Sequence, residues 1–463
     1  MAKEPQNQAA LAGVRDSIYC NLIMKSKIAG WGLYPAIEAE VDEARYVEEL
    51  VWLARSGLPQ LAQGNCRSYG DACIYTRVVS TLPLEHLLNF DPVRGVLRAQ
   101  AGITLDSLLR FSVPRGFFLP VTPGTKFPTL GGCIAADVHG KNHHREGTLG
   151  RFVDELEMVL ADGSQVRCSR REHPELFRAT LGGMGLTGFI YAATLRLKPI
   201  TSSYMQVRTV RTGDFAEACQ LMSQTREEYL YSVAWIDCLA RGRHLGRSLV
   251  MLGNHAPASR SASLALHSPR QRLVPFHLPE FALNPWSVRA FNTLFYHRHW
   301  RRDRQALVHY DPYFYPLDAL SHWNRIYGRG GFLQYQFVLP FVGGLELMRE
   351  ILGRIAARGA ASFLAVLKTF GPEEEGLLSF PLPGYTLALD FPLQGGRIIP
   401  FLLELNKLIT AAGGRIYLAK DAILEESDFV AMYPRLEEFR AVKRHYDPHN
   451  QFRSCQSDRL GLR

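Results

Sequence analysis

Two periods of apolar residues alternate along this chain. Helical spacing, with apolar positions three and four apart, predicts helices over residues 174–181, 215–230, 344–359, 398–414 and 432–446. The acid-rich run at 37–61 predicts another, since Glu43, Glu48 and Glu49 project opposite Val41, Val47, Leu50 and Leu53, and Gly57 supplies a stop. Alternation with a period of two predicts strands over 58–63, 107–121, 189–197, 203–210, 231–240 and 415–422. Residues 152–159 and 165–169 read as a hairpin around Ala161-Asp162-Gly163-Ser164, where Asp-Gly is the turn signal. The runs 332–340, 362–370 and 385–393 predict an antiparallel sheet, and from about residue 201 the texture is that of a new α+β unit. In 332–340 the amides of Gln334 and Gln336 fall on one face, with Leu333, Tyr335 and Phe337 on the other. Two amides are poor core residues, so their face is expected to be wet or ligand-lined.

Two stretches have no period. Residues 121–147 pack Pro123-Gly124, Gly131-Gly132 and Ala135-Ala136 ahead of His139, Lys141, Asn142, His143 and His144. Small residues at that density let a backbone approach a flat ligand and offer its N–H groups, while Lys, Asn and three His are poor core fillers. The segment reads as a cofactor cradle with its polar end toward the chemistry. His139 and His143 stand four apart, as a metal pair would, but Gly140 and Asn142 disfavour the required helix and no third ligand is near. A structural buried His and a cofactor-facing His both remain open. Residues 61–71, with Gly64, Ser68 and Gly70, form either an ordinary tight loop or a turn whose N–H groups face an anion such as a pyrophosphate. Gly183 to Gly188 spells G-x-G-x-x-G, yet a helix precedes it and a strand follows, the reverse of a Rossmann unit.

Hydrophobic content of 47% and charged content of 21% describe a globular chain, and 463 residues suggest roughly two or three domains. The net charge of +9 favours an anionic partner without choosing among phosphate, lipid and nucleic acid. No run of about 18 apolar residues is long enough to span a bilayer, and the polar start lacks a secretory signal. Eight scattered Cys without a C-x-x-C pair read as reduced thiols, so a cytoplasmic setting is expected. Residues 255–304 carry eight Arg, no Lys, and only Glu280 and Asp303 as acids, interleaved with Phe276, Phe281, Trp286, Phe291, Phe295 and Trp300. A long solvated loop and a membrane-surface contact are both readings of that span. No nucleic-acid module accompanies the charge.

The run DVHGKNHH (residues 137–144) and its surroundings resemble the FAD-binding domain of the vanillyl-alcohol-oxidase superfamily. Within it, the similarity is greatest to the decaprenylphosphoryl-β-D-ribose 2′-oxidase family. The resemblance runs from about residue 30 to the C-terminus and is weakest across 255–304. It implies an α+β, two-domain PCMH-type FAD-binding fold with an antiparallel-sheet substrate domain. The FAD domain is expected over 1–199, the substrate domain over 200–414 with an insertion at about 255–304, and 415–463 returns to the FAD domain. FAD contacts are implied at Ala62, Gln63, Gly64, Asn65, Cys66, Arg67, Ser68, Tyr69, Gly70, Asp71 and Ala72. Further contacts are implied at Gly124, Thr129, Leu130, Gly131, Gly132, Ala136, Asp137, Val138, His139, Ile190 and Tyr417. Catalytic roles fall on Lys420, His139, Tyr69 and Gln336, and substrate contacts on Gln334, Tyr315, Trp235, Lys368 and Lys141. From the residues alone, Lys420 in RIYLAKDA also reads as a strand-end lysine reaching water; the family's AKD string supplies the catalytic reading.

What the resemblance implies chemically is oxidation of a secondary hydroxyl on a polyprenyl-phosphate-linked pentose, the first half of an epimerisation that a short-chain-type reductase completes. Aldonolactone or sugar-alcohol oxidation, and non-catalytic binding of a lipid phosphate, are the alternatives. A peripheral contact at the inner face of the cell membrane is expected, with no metal and no nucleic acid. Three departures from the pattern stand out. Arg67 occupies the place of a flavin-linking His, which implies non-covalent FAD. Cys66 replaces a common glycine, and Ala388 stands where mycobacterial members carry Cys.

Overall fold

The computed structural model describes residues 24–267, 271–360 and 362–463; the polar N-terminal run, Cys20 and Arg270 lie outside them. The chain builds three principal sheets. Strands Met24–Ala29, Ala36–Glu43, Arg77–Ser80 and Leu61–Gln63 form the first, mixed sheet. Leu87–Asp91, Val96–Gln100, Phe189–Arg196, Val153–Val159 and Gln165–Ser169 form a five-stranded antiparallel second sheet, which contains the Asp-Gly hairpin. The third has eight strands drawn from residues 204–416, and Phe332–Pro340, Ala365–Thr369 and Gly384–Pro392 pair antiparallel within it. The architecture is therefore α+β, the two-domain PCMH-type FAD-binding fold.

Four local expectations are corrected. Residues 37–61 do not form one helix: Ala36–Glu43 is a strand pairing with Met24–Ala29 and Arg77–Ser80, and only Val47–Arg55 is helical. Sheet pairing there overrides acid-rich helical spacing. Residues 105–112 form a helix rather than a strand, because Thr104 caps it by accepting from Ser107 N–H (3.2 Å). Its buried Leu105, Leu108, Leu109 and Ser112 show the helical spacing that the period-two reading overlooked. The strand expected at 415–422 stops after Arg415–Ile416, and Lys420 ends a 3₁₀ turn, Leu418–Lys420. The span 255–304 is not one loop either; it contains a helix, Pro285–Arg298, capped by Asn284 and anchored by buried Val288, Asn292 and Tyr296.

The C-terminal segment is bound tightly to residues far away in sequence. Gln60 pairs with Phe452 across a parallel bridge, and Arg459 holds Asp71 through two hydrogen bonds (2.9 and 2.7 Å) and Asp421 through a third (2.7 Å). Gly70 is required at this junction, since a Cβ there would sit 1.7 Å from the Asp421 carbonyl oxygen. Lys443 is fully buried against Asp447 (2.8 Å) and donates to the carbonyls of Leu186 and Phe452.

Candidate active site

Where the cradle segment faces the third sheet, the chain encloses a cavity of about 1240 Å3. That exceeds the range of about 300–1,000 Å3 usual for one small ligand, so it has room for a large cofactor and a substrate together. One wall is the loop after Leu61–Gln63, and a second is the small-residue run beginning at Thr122. The turn 182–188 adds Met184, Gly185 and Gly188. Gln334, Gln336, Lys368 and Ala388 reach it from three neighbouring strands, and Tyr417, Ala419 and Lys420 close it. The alternation in Phe332–Pro340 does what the sequence indicated: Leu333, Tyr335 and Phe337 join the main core while the two glutamines face the cavity.

His139 sits at the centre of a buried network. Its Nδ1 lies 2.9 Å from Lys368 Nζ, and its Nε2 lies 3.1 Å from Gln336 Nε2, which also donates to Thr386 Oγ1 (3.1 Å). Burial, then Lys368, His143 and Lys420, hold the His139 ring well below its ordinary range, so it is neutral. The ring thus presents Nε2 to the Gln336 amide and Nδ1 to Lys368. Burial, then the cations of Lys420 and Lys141, push the Lys368 amine well down. Lys141 lies 4.3 Å from the centre of the Tyr313 ring, and burial brings its amine down to about 7.

A second network surrounds Lys420. Gln334 Nε2 donates to Asp390 Oδ1 (2.6 Å), and the Tyr327 hydroxyl donates to Oδ2 (3.0 Å). Burial raises the Asp390 carboxyl to about 6. Burial lowers the Lys420 amine to about 8, while Asp390 works in the opposite direction. Lys420 Nζ stands 5.3 Å from the centre of the Tyr69 ring, and Tyr69 N–H donates to the Ala419 carbonyl (3.0 Å).

Of the expected FAD contacts, Ala62, Gly64, Asn65, Cys66, Arg67, Ser68, Tyr69, Ala72, Gly124, Thr129, Gly131, Gly132, Ala136, Val138, His139, Ile190 and Tyr417 line the cavity. Five do not. Gln63 turns to the Cys73 carbonyl, Gly70 packs on Asp421 and Asp71 is taken by Arg459. Leu130 is core, and Asp137 is buried accepting from Gly150 N–H (3.0 Å) and Ser379. Of the expected substrate residues, Gln334, Trp235, Lys368 and Lys141 line the cavity. Tyr315 stands behind the wall, its hydroxyl 2.6 Å from Thr122 Oγ1. His143 and His144 serve the fold, facing Gly371 and Glu374 and the Tyr229 carbonyl respectively.

Sequence reasoning missed Asp390, Tyr327, Asp318 and Trp31. A carboxylate inside the apolar run YTLALDF was a signal for the first, but its partner Gln334 lies directly across the strand pair, which only the register shows. Trp31 carries the Arg67 guanidinium 4.2 Å from its ring centre.

These residues fit FAD. Buried Arg67 Nε, Gln334 Oε1 and Gln336 Oε1 have no hydrogen-bond partner among the described residues, and a Cβ built at Gly124 would meet open space. The unpartnered Arg67 donor beside a glycine-lined wall suits a polar, planar cofactor, and the two glutamine acceptors stand on the facing strand. The fold and cavity define an FAD-dependent oxidoreductase, and residues 35–169 match the FAD binding domain family while residues 395–460 match the D-arabinono-1,4-lactone oxidase family. The chain is 35% identical to decaprenylphosphoryl-beta-D-ribose oxidase of Mycolicibacterium smegmatis over 94% of its own length and 97% of that protein. It is 26% identical to an alditol oxidase of Streptomyces sp. over 81% and 82% of the two chains. A putative D-arabinono-1,4-lactone oxidase of Neurospora crassa matches at 28% over 36% of this chain and 30% of that protein. The chain belongs to the decaprenylphosphoryl-β-D-ribose oxidase family. FAD is its cofactor. With Arg67 in the place of a linking His, acid precipitation is expected to release all the yellow chromophore into the supernatant; colour retained in the pellet would show a covalent bond.

Proposed function

We propose that the protein oxidises a secondary hydroxyl of a polyprenyl-phosphate-linked pentose, the 2′-hydroxyl of a decaprenylphosphoryl-β-D-ribose-type substrate, to the keto sugar. The observation that carries this is the meeting of Lys420, Gln334, Gln336 and Lys368 on one cavity wall opposite the cradle segment, in a chain whose full-length relative bears that substrate's name. When bound, FAD supplies the electron-accepting ring that takes the hydride of the carbinol C–H. Lys420 takes the hydroxyl proton: an amine brought down to about 8 is poised as a base near neutral pH. Gln334 and Gln336 hold sugar hydroxyls through the oxygens that have no protein partner. His139 is already engaged at both ring nitrogens, so it positions Gln336 rather than accepting the proton itself. Tyr69 packs on Lys420 and shields it from water.

The keto product passes to a short-chain-type reductase, and the exposed aromatics of residues 276–300 rest on the cytoplasmic face of the membrane. Among the described residues no helix is long and apolar enough to cross one. Anaerobic mixing tests the reaction: a lipid-phosphate pentose is expected to bleach the flavin where free alditols and aldonolactones do not. Bleaching by soluble sugars alone would make the protein an alditol or lactone oxidase, and no bleaching at all would leave a lipid-binding flavoprotein.

The pH dependence has a definite sign. Below about pH 8 Lys420 is an ammonium and cannot accept a proton, so the flavin-reduction rate rises with pH to a plateau. Asp390 supports the ammonium, so Asp390→Asn is expected to move that limb to lower pH. Stopped-flow pH profiles check it, and an unmoved limb would uncouple Asp390 from the base.

A further inference from the structure

Beside the large cavity lies a smaller one of about 300 Å3, formed by Arg298, His299, Trp300, Arg301 and Arg304. Arg298 borders both, so the two spaces adjoin at that side chain. The turn that carries the pocket is fixed from beneath, since Arg211 N–H donates to the Arg302 carbonyl (2.7 Å) and its guanidinium to that of His299 (3.3 Å). The nearby carboxylates are committed elsewhere: Glu217 pairs with Arg302, and Asp303 with Arg208 (2.7 Å). Among the described residues, Arg298, Arg301 and Arg304 have no carboxylate within ion-pair distance. Burial, then the charges of Arg298 and Arg304, hold the His299 ring below its ordinary range. Three guanidiniums without a carboxylate partner, that of Arg301 lying 4.7 Å from the Trp300 ring centre, surround a concave space and offer planar, two-pronged donors matched to phosphate oxygens. Trp300 in the pocket lining and Leu294, one helical turn before Arg298, are 74% and 73% exposed.

We propose that this pocket seats the phosphodiester of the lipid-linked sugar, with the pentose reaching past Arg298 into the large cavity and the lipid chain leaving over Trp300 and Leu294. The identity of the ligand rests on the substrate reading above; the chemistry recognised is a phosphate ester on an apolar chain. Phospholipid headgroups share that chemistry, and the experiment separates the two sources.

Arg301→Gln/Arg304→Gln alters neither large-cavity wall, and FAD content reports that it folds; Arg301→Gln alone is the milder second variant. Calorimetric titration with farnesyl phosphate and with farnesol, both in detergent, reads the phosphate independently of turnover. The double variant is expected to bind farnesyl phosphate about tenfold or more weakly and farnesol unchanged. With a lipid-phosphate pentose, KM rises by a similar factor while kcat holds. Unchanged farnesyl phosphate affinity would overturn the assignment. So would loss of binding to phosphatidylglycerol vesicles with farnesyl phosphate affinity intact, since the arginines would then read the bilayer. Arginine-dependent farnesyl phosphate binding in a protein whose flavin no lipid-phosphate pentose reduces would keep the phosphate site and remove the proposed reaction.

Discussion

Lys420→Ala is expected to give a yellow, FAD-loaded protein whose flavin the lipid-phosphate pentose reduces about 100- to 10,000-fold more slowly, the range set by loss of a positioned base. Cofactor loading should survive because the turn Leu418–Lys420 is held by its backbone. Tyr69 N–H donates to Ala419, Lys420 N–H to Tyr417 (2.9 Å), and Tyr417 N–H to Gln336 (2.9 Å), and none of these uses the amine. Lys420→Arg separates two roles for the side chain. A guanidinium keeps the charge but cannot give up its proton near neutral pH, so a base predicts a loss as deep as alanine's, whereas a positioning cation predicts that most activity remains. Stopped-flow reduction at saturating substrate reads both variants. Turnover retained by Lys420→Ala would take this residue out of the chemistry altogether.

How the site could be read in advance differs from residue to residue. The cradle was legible because small residues and clustered polar ones stand together over 121–147, and the glutamine face because a period of two places Gln334 and Gln336 on one side. Lys420 was legible as a residue but not as a geometry. Its strand ends early, and the turn that aims it depends on Tyr69 and Gln336, which are distant in sequence. Asp390 and Tyr327 were not legible, since one carboxylate in an apolar strand says nothing of a glutamine across the pair or a tyrosine beneath it. Two of the wrong elements have related causes. Over 36–43, pairing with two flanking strands outweighed helical spacing, and over 105–112 the Thr104 cap set the period that the alternation had hidden. His143 and His144 show the converse: a conspicuous polar pair beside the site that packs into the fold.

Asp447→Ala is expected to lower stability by about 3–5 kcal/mol, the cost of stranding one member of a buried ion pair. Asp447 accepts from Gln451 N–H (2.7 Å), Phe452 N–H (2.8 Å) and Lys443, and both side chains of the pair are essentially sealed from solvent. Lys443 already has its amine pushed down by burial, with Asp447 opposing that shift. Without the carboxylate it falls further, so the folded variant binds fewer protons than its unfolded chain, in which lysine keeps its ordinary range. Stability of the variant must then rise with pH, and its deficit should be larger at pH 6 than at pH 9. Lys443→Met/Asp447→Leu removes both charges and should recover much of the loss. Urea unfolding of the FAD-loaded proteins at the two pH values reads all of this. The same measurement bears on the cofactor, because the Phe452 segment that Asp447 positions pairs with Gln60 immediately before the loop facing the cavity. FAD should therefore dissociate from Asp447→Ala at lower urea than from the wild type. An unchanged midpoint and unchanged flavin release would mean that this buried pair holds neither the tail nor the loop beside it.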